Sequence, residues 1–172
     1  MASEKCIIAT VAASLCAVAL IAAGCATANK GRDQRVVVES VPTGATILVD
    51  GREVGRTPKA LWLPRMNGYQ ITVRKHGFAD STDFVRTVAN EYDAKFFRLG
   101  ADYATGAMND LVPSSFNFEL RPAILPEVKG SDPYYEMTSL VLEADSMRDR
   151  GEISRRDHRY IVRKIVEFYE GK

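Results

Sequence analysis

The sequence predicts a mainly β protein with helices: a small antiparallel β-sandwich over residues 35–121, a helix over about residues 90–110 covering it, and a helical hairpin over residues 133–172. Three observations carry this. Short apolar runs alternate with turn signals from Arg35 to Phe84. Tyr69-Gln70-Ile71-Thr72-Val73-Arg74 places Tyr69, Ile71 and Val73 on one face, the pattern of a half-buried antiparallel strand. Beyond Asp132 the apolar spacing lengthens from two to three and four residues, the helical period.

At the N-terminus, Lys5 precedes a stretch from Cys6 to Gly24 that is apolar or small throughout, and the stretch closes on Ile21-Ala22-Ala23-Gly24-Cys25. This resembles a bacterial lipoprotein export signal, with Ala22 where that family usually has Leu. The resemblance implies a signal peptide over residues 1–24, diacylglycerol on the Cys25 thiol, cleavage after Gly24 and fatty acylation (palmitate or similar) of the new amino group. It places the protein in the cell envelope, anchored to the membrane through lipid. Ala26 stands where Asp would signal inner-membrane retention, so the family's sorting rule points to an outer membrane where the host has one. The alternative is an uncleaved apolar helix, since residues 6–24 are long enough to span a bilayer. Cys6 and Cys16 would leave with the signal, and no thiol would remain for a disulfide or a nucleophile. Residues 25–34 read as a polar tether.

Val36-Val37-Val38 opens the β region. Pro42-Thr43-Gly44 turns the chain, and Thr46-Ile47-Leu48-Val49 is the second apolar run. Asp50-Gly51 is a tight hairpin signal, followed by a short strand at Arg52–Val54 and a turn at Gly55-Arg56-Thr57-Pro58. Leu61-Trp62-Leu63 is a strand stopped by Pro64, Asn67-Gly68 turns again, and a strand after His76-Gly77-Phe78 runs through Val85. Pro42-Thr43-Gly44-Ala45, Val49-Asp50-Gly51, Gly55-Arg56-Thr57-Pro58 and Gly77-Phe78, in this order, resemble the PEGA domain, with Thr43 replacing the Glu of the family's name. The resemblance implies a β-sandwich-like module of bacterial envelope proteins that binds other molecules and carries no chemistry.

Between Asn90 and Asp110, aromatic and small residues recur at helical spacing, and charges through the middle argue against a bilayer span. Ser115-Phe116-Asn117-Phe118-Glu119-Leu120 alternates and is expected to return to the sandwich. Residues 122–132, with Pro122, Pro126 and Gly130, form a linker. In the tail, Asp132 and Pro133 start a first helix with an apolar stripe of Met137, Leu140, Val141, Ala144 and Met147, and Gly151 ends it. Ser154 and Asp157 form a near capping box for a second helix carrying Ile161, Ile165 and Phe168. The run Gly151 to His158 resembles the SHOCT-type C-terminal hairpin, with Asp157 and His158 in place of its Glu and Phe. That resemblance implies a homo-oligomer. A hairpin this small must pack on the sandwich or on a partner.

The chain carries 23 Lys and Arg against 22 Asp and Glu, a net charge of +1 that gives no electrostatic case for nucleic acid. Its two histidines, His76 and His158, neighbour no nucleophile motif and show no metal spacing, so no catalytic, metal or cofactor site is assigned. Gly51–Thr57 is one residue short of a phosphate loop and has Arg where Lys is needed. The candidate binding surface is Trp62 with Arg65: if Leu61 and Leu63 face inward, Trp62 faces out. The blander reading packs Trp62 beneath the 90–110 helix and is preferred. The arginines at 148, 150, 155, 156, 159 and 163 are mixed with acids and read as a solvated face. The expected function is a non-catalytic binding or scaffold module for an envelope protein, peptidoglycan or another polysaccharide. The rivals are an enzyme acting on envelope polymers and a purely structural oligomer.

Overall fold

The structure, a computed structural model, describes residues 25–93 and 101–171. Its elements run α1 (Cys25–Lys30), β1 (Asp33–Val41), β2 (Thr46–Val49), β3 (Arg52–Arg56), β4 (Lys59–Pro64), β5 (Tyr69–Arg74), β6 (Ser81–Ala89), α2 (Ala101–Thr105), β7 (Asn109–Val112), β8 (Ser115–Glu119), α3 (Pro133–Asp149) and α4 (Arg155–Glu170). The strands form two sheets, β4-β1-β8 and β3-β2-β5-β6-β7. The mainly β, sandwich-like class with a C-terminal helical pair is therefore as predicted.

Three details differ. β8 does return to the β region, but it runs parallel to β1, with Val37 opposite Ser115 and Val41 opposite Glu119. A parallel partner needs a long crossover, and the stretch from β2 to β7 supplies it. The second difference lies in the expected 90–110 helix. Residues 94–100 fall outside the described residues, α2 is one short helix, and residues 109–112 are strand. Gly106, at φ +75°, ends α2. A β-carbon there would lie 2.6 Å from Met66 Cγ, so the small residue answers a close backbone approach. Asn109–Val112 then pairs antiparallel with Arg86–Ala89. The third difference concerns the expected tether, residues 25–34. It is helical over Cys25–Lys30, and Ala26 is fully buried.

The chain divides into two compact units, one of residues up to 36 with 61–68 and 85–114, the other of residues 37–60, 69–84 and 115 onward. In the first, Val36, Leu61, Leu63, Val85, Met108 and Leu111 are buried. In the second, the inward positions of β1, β2, β5 and β8 (Val38, Ile47, Ile71, Val73, Phe116 and Phe118) make the core. Each such side chain contributes roughly 1.5–3 kcal/mol on burial.

The hairpin belongs to the second unit and packs on its β residues. Gly77, at φ +83°, sits against it: an added β-carbon would lie 2.9 Å from Ile153 Cγ2 and 3.4 Å from Met147 Cε. Phe78 and Tyr160 meet ring to ring at 5.9 Å. Lys75 Nζ reaches Asp157 Oδ1 at 2.8 Å, and Lys164 bridges Glu119 and Glu167. Those two carboxylates hold the Lys164 ammonium well above its usual pKa through hydrogen bonds, and Lys164 lowers that of Glu119. The helix ends follow their sequence signals. Asp132 accepts from the Tyr135 amide, and Ser154 Oγ accepts from the Asp157 amide at 3.1 Å while donating to Asp157 Oδ2 at 2.7 Å. Gly151 and Gly171 both take positive φ.

Candidate functional site

Cys25 opens α1, whose next residues are gripped by Asp102. Asp102 Oδ2 accepts from the Ala26 amide at 3.1 Å, and Oδ1 accepts from the Thr27 amide at 2.8 Å and the Thr27 hydroxyl at 2.6 Å. Asp102 is 6% exposed. Burial pushes its pKa up, but the donors from Thr27 and Ala26 outweigh that and hold it below the usual carboxylate value. The apolar run at residues 6–24 lies outside the described residues. Among those described, no helix is long and apolar enough to cross a membrane.

Trp62 is 67% exposed on β4, an end strand of its sheet, and its neighbours Leu61 and Leu63 are buried. Alternation decides its position, and the preferred reading of a covered Trp62 is corrected. Arg65 is also corrected as a surface residue: it is 7% exposed. Its Nη1 reaches Gln34 Oε1 at 2.5 Å, Asp110 Oδ1 at 2.6 Å and the Asn109 carbonyl at 3.1 Å, and Nη2 donates to the Lys30 carbonyl at 3.2 Å. Gln34 in turn donates to the Leu111 carbonyl and accepts from the Leu111 amide. Arg65 is thus an internal strut joining the end of α1, the start of β1 and β7. Trp62 faces outward without it.

His76 is exposed, and His158 Nε2 lies 2.9 Å from Asp145 Oδ1 on α3. Among the described residues no group of three or more His, Cys, Asp or Glu could hold a metal ion.

The second unit contains a site that sequence reasoning passed over. A cavity of about 400 Å³ is lined by residues 40–43 and by Arg156, Arg159, Tyr160 and Arg163. Arg159, Tyr160 and Arg163 lie three, four and seven residues from Arg156, so the four share one stripe of α4. The opposite wall is pinned by hydroxyls. Ser40 Oγ donates to the Pro42 carbonyl at 2.7 Å and lies 2.6 Å from Thr57 Oγ1, which accepts from the Ala45 amide at 3.0 Å. Ser40 and Thr57 are both buried. Thr57, inside Gly55-Arg56-Thr57-Pro58, is therefore what fixes the Pro42-Thr43-Gly44-Ala45 turn.

The hairpin's arginines divide by environment. Arg148 pairs with Asp145 and Asp149, each at 2.9 Å, and Arg150 with Glu152 at 2.6 Å. The hydrogen bonds that Arg148 donates to Asp149 and Arg150 to Glu152 raise the pKa of the respective guanidinium. Arg163 lies 3.7 Å from Glu167 and 5.2 Å from the centre of the Tyr160 ring. Among the described residues, Arg156 and Arg159 have no carboxylate partner. Carboxylates of this region are engaged elsewhere: Asp157 by Lys75, Glu119 and Glu167 by Lys164, and Asp149 by Arg148. Tyr160 is 6% exposed, and burial followed by the charge of Glu119 raises its phenol pKa. The i, i+3, i+7 spacing of Arg156, Arg159 and Arg163 was the available signal. The wall at residues 40–43, more than a hundred positions away in the chain, was not.

Residues 34–96 match the family model of the PEGA domain. The match covers β1 to β6, and β7 and β8 lie beyond it. No curated protein and no solved structure matches the chain.

Proposed function

We propose that this chain is a lipid-anchored cell-envelope protein whose PEGA module is a non-catalytic binding or scaffold element for an envelope protein or a cell-wall polysaccharide. The observation that carries the reading is the PEGA match over residues 34–96, and an envelope-associated binding role is what resemblance to that family implies. The export-signal pattern ending at Cys25 supports the anchor, and acyl chains there would hold the module at the membrane. Confinement to a surface raises the module's effective concentration for a partner on that surface.

Intact mass of the membrane-extracted protein tests the anchor. A native chain that starts at Cys25 and carries fatty acyl chains, lost in Cys25→Ser, is the expected result. A native chain keeping residues 1–24 without acyl chains overturns it. Pull-down on purified cell-wall material tests the polysaccharide arm.

One feature favours a second reading, self-association through the hairpin. Tyr134, Tyr135 and Leu142 on α3 are 82%, 73% and 61% exposed, so α3 presents large apolar side chains to solvent that a second copy could cover. Light scattering of the full chain, with and without Leu142→Lys, tests it: a dimer or larger species that dissociates in the variant supports oligomerisation.

A further inference from the structure

We infer that the cavity between residues 40–43 and α4 is a phosphate site, taking a phosphate group carried on a small polyol or sugar. The inference rests on the binding-module reading above and names the chemistry its ligand would present. Arg156 and Arg159 face the cavity with no carboxylate partner among the described residues, and Arg163 joins them one turn on. Arg155 and Arg156 also occupy the first turn of α4, where the helix dipole favours anions and disfavours cations. A bound anion relieves both the mutual repulsion and the dipole mismatch. Glu39 shares the outer face of β1 with Val41 but does not line the cavity.

Shape agrees with charge. About 400 Å³ is in the range of small-ligand pockets and exceeds what one phosphate needs, leaving room for the group that bears it. Planar guanidinium forks match the oxygen spacing of phosphate, and the Tyr160 ring under Arg163 restrains one of them. A larger hollow, about 680 Å³, is lined by Arg148, Asp149, Arg155, His158 and Arg159. It fits an anion less well, because Arg148 is already paired with Asp145 and Asp149, and His158 lies against Asp145.

The test is calorimetric titration of the full-length, detergent-extracted protein in a chloride buffer with inorganic phosphate, glucose 1-phosphate and glycerophosphoglycerol. The second is a sugar phosphate and the third a lipid headgroup, so their ratio identifies the source of the phosphate. Saturable binding is expected. Each of Arg156→Gln and Arg159→Gln should weaken it roughly tenfold, the effect of removing a hydrogen bond to a charged group. Arg148→Gln, already neutralised by its aspartates, should bind like the native protein. Absence of saturable binding to all three compounds overturns the inference, as does an equal loss in Arg148→Gln, which would reduce the effect to bulk charge. The mass measurement is independent. An acylated chain that binds no phosphate sinks the site alone, and an unacylated chain that binds it sinks the anchor alone.

Discussion

Arg65 in the first unit and Arg156 with Arg159 in the second carry the same group into opposite settings. Arg65 is buried, and its two terminal nitrogens meet a carboxylate, a side-chain amide and two carbonyls. The two on α4 are exposed, line a cavity and have no carboxylate partner among the described residues. The supply of acceptors within reach decides between strut and binding group. Asp110 and Gln34 are placed to engage Arg65, whereas Asp157, Glu119 and Glu167 are engaged by Lys75 and Lys164 and Asp149 by Arg148.

That contrast can be broken at the strut. Arg65→Met should destabilise the protein by about 3 kcal/mol in urea unfolding, because it removes a buried group that four acceptors hold and leaves Asp110 with only the more distant Lys30 as an ion-pair partner among the described residues. The figure sits at the low end because Asp110 is 34% exposed. A loss below about 1 kcal/mol would demote Arg65 to an ordinary surface residue. Within the second unit, Gly77→Ala should cost about 2 kcal/mol, from positive φ and from crowding Ile153. Amide exchange should then rise first in α3 and α4.

Asp102→Asn should cost about 1–2 kcal/mol, since an amide accepts the Ala26 and Thr27 donors less well. The pH dependence has a definite sign. A carboxyl with a depressed folded-state pKa stabilises above its unfolded value, and this contribution is lost as pH falls through the folded one. Exchange at the Ala26 and Thr27 amides should accordingly exceed its intrinsic rate change only in acid, below roughly pH 4. The double variant Arg156→Gln with Arg159→Gln should change stability by no more than about 0.5 kcal/mol, which sharpens the contrast with Arg65. Trp62→Ala should do as little to stability, because its ring is mostly in water already.

How much of this could be read beforehand follows the range of each interaction. Strand β5 is visible because its alternation is local, and both hairpin caps because Asp132 with Tyr135 and Ser154 with Asp157 are each three residues apart. The parallel pairing of β8 was hidden, since Phe116 and Phe118 read the same beside a neighbour of either direction. β7 was hidden because Asn109–Val112 is short and follows a run of small residues that mimics helical spacing. Arg65 looked like a surface residue because its partners Gln34 and Asp110 lie 31 and 45 positions away. Of the groove, one wall is a helical stripe and legible, and the other comes from a turn that only folding brings to it.

The grip of Asp102 on α1 also sets how far this protein could range. Ten extended residues would form a leash of roughly 33 Å. The six residues of α1, wound and clipped by Asp102, rise only about 9 Å. A lipid on Cys25, if the native chain carries one, would then sit within one short helix of the first unit instead of at the end of a slack leash.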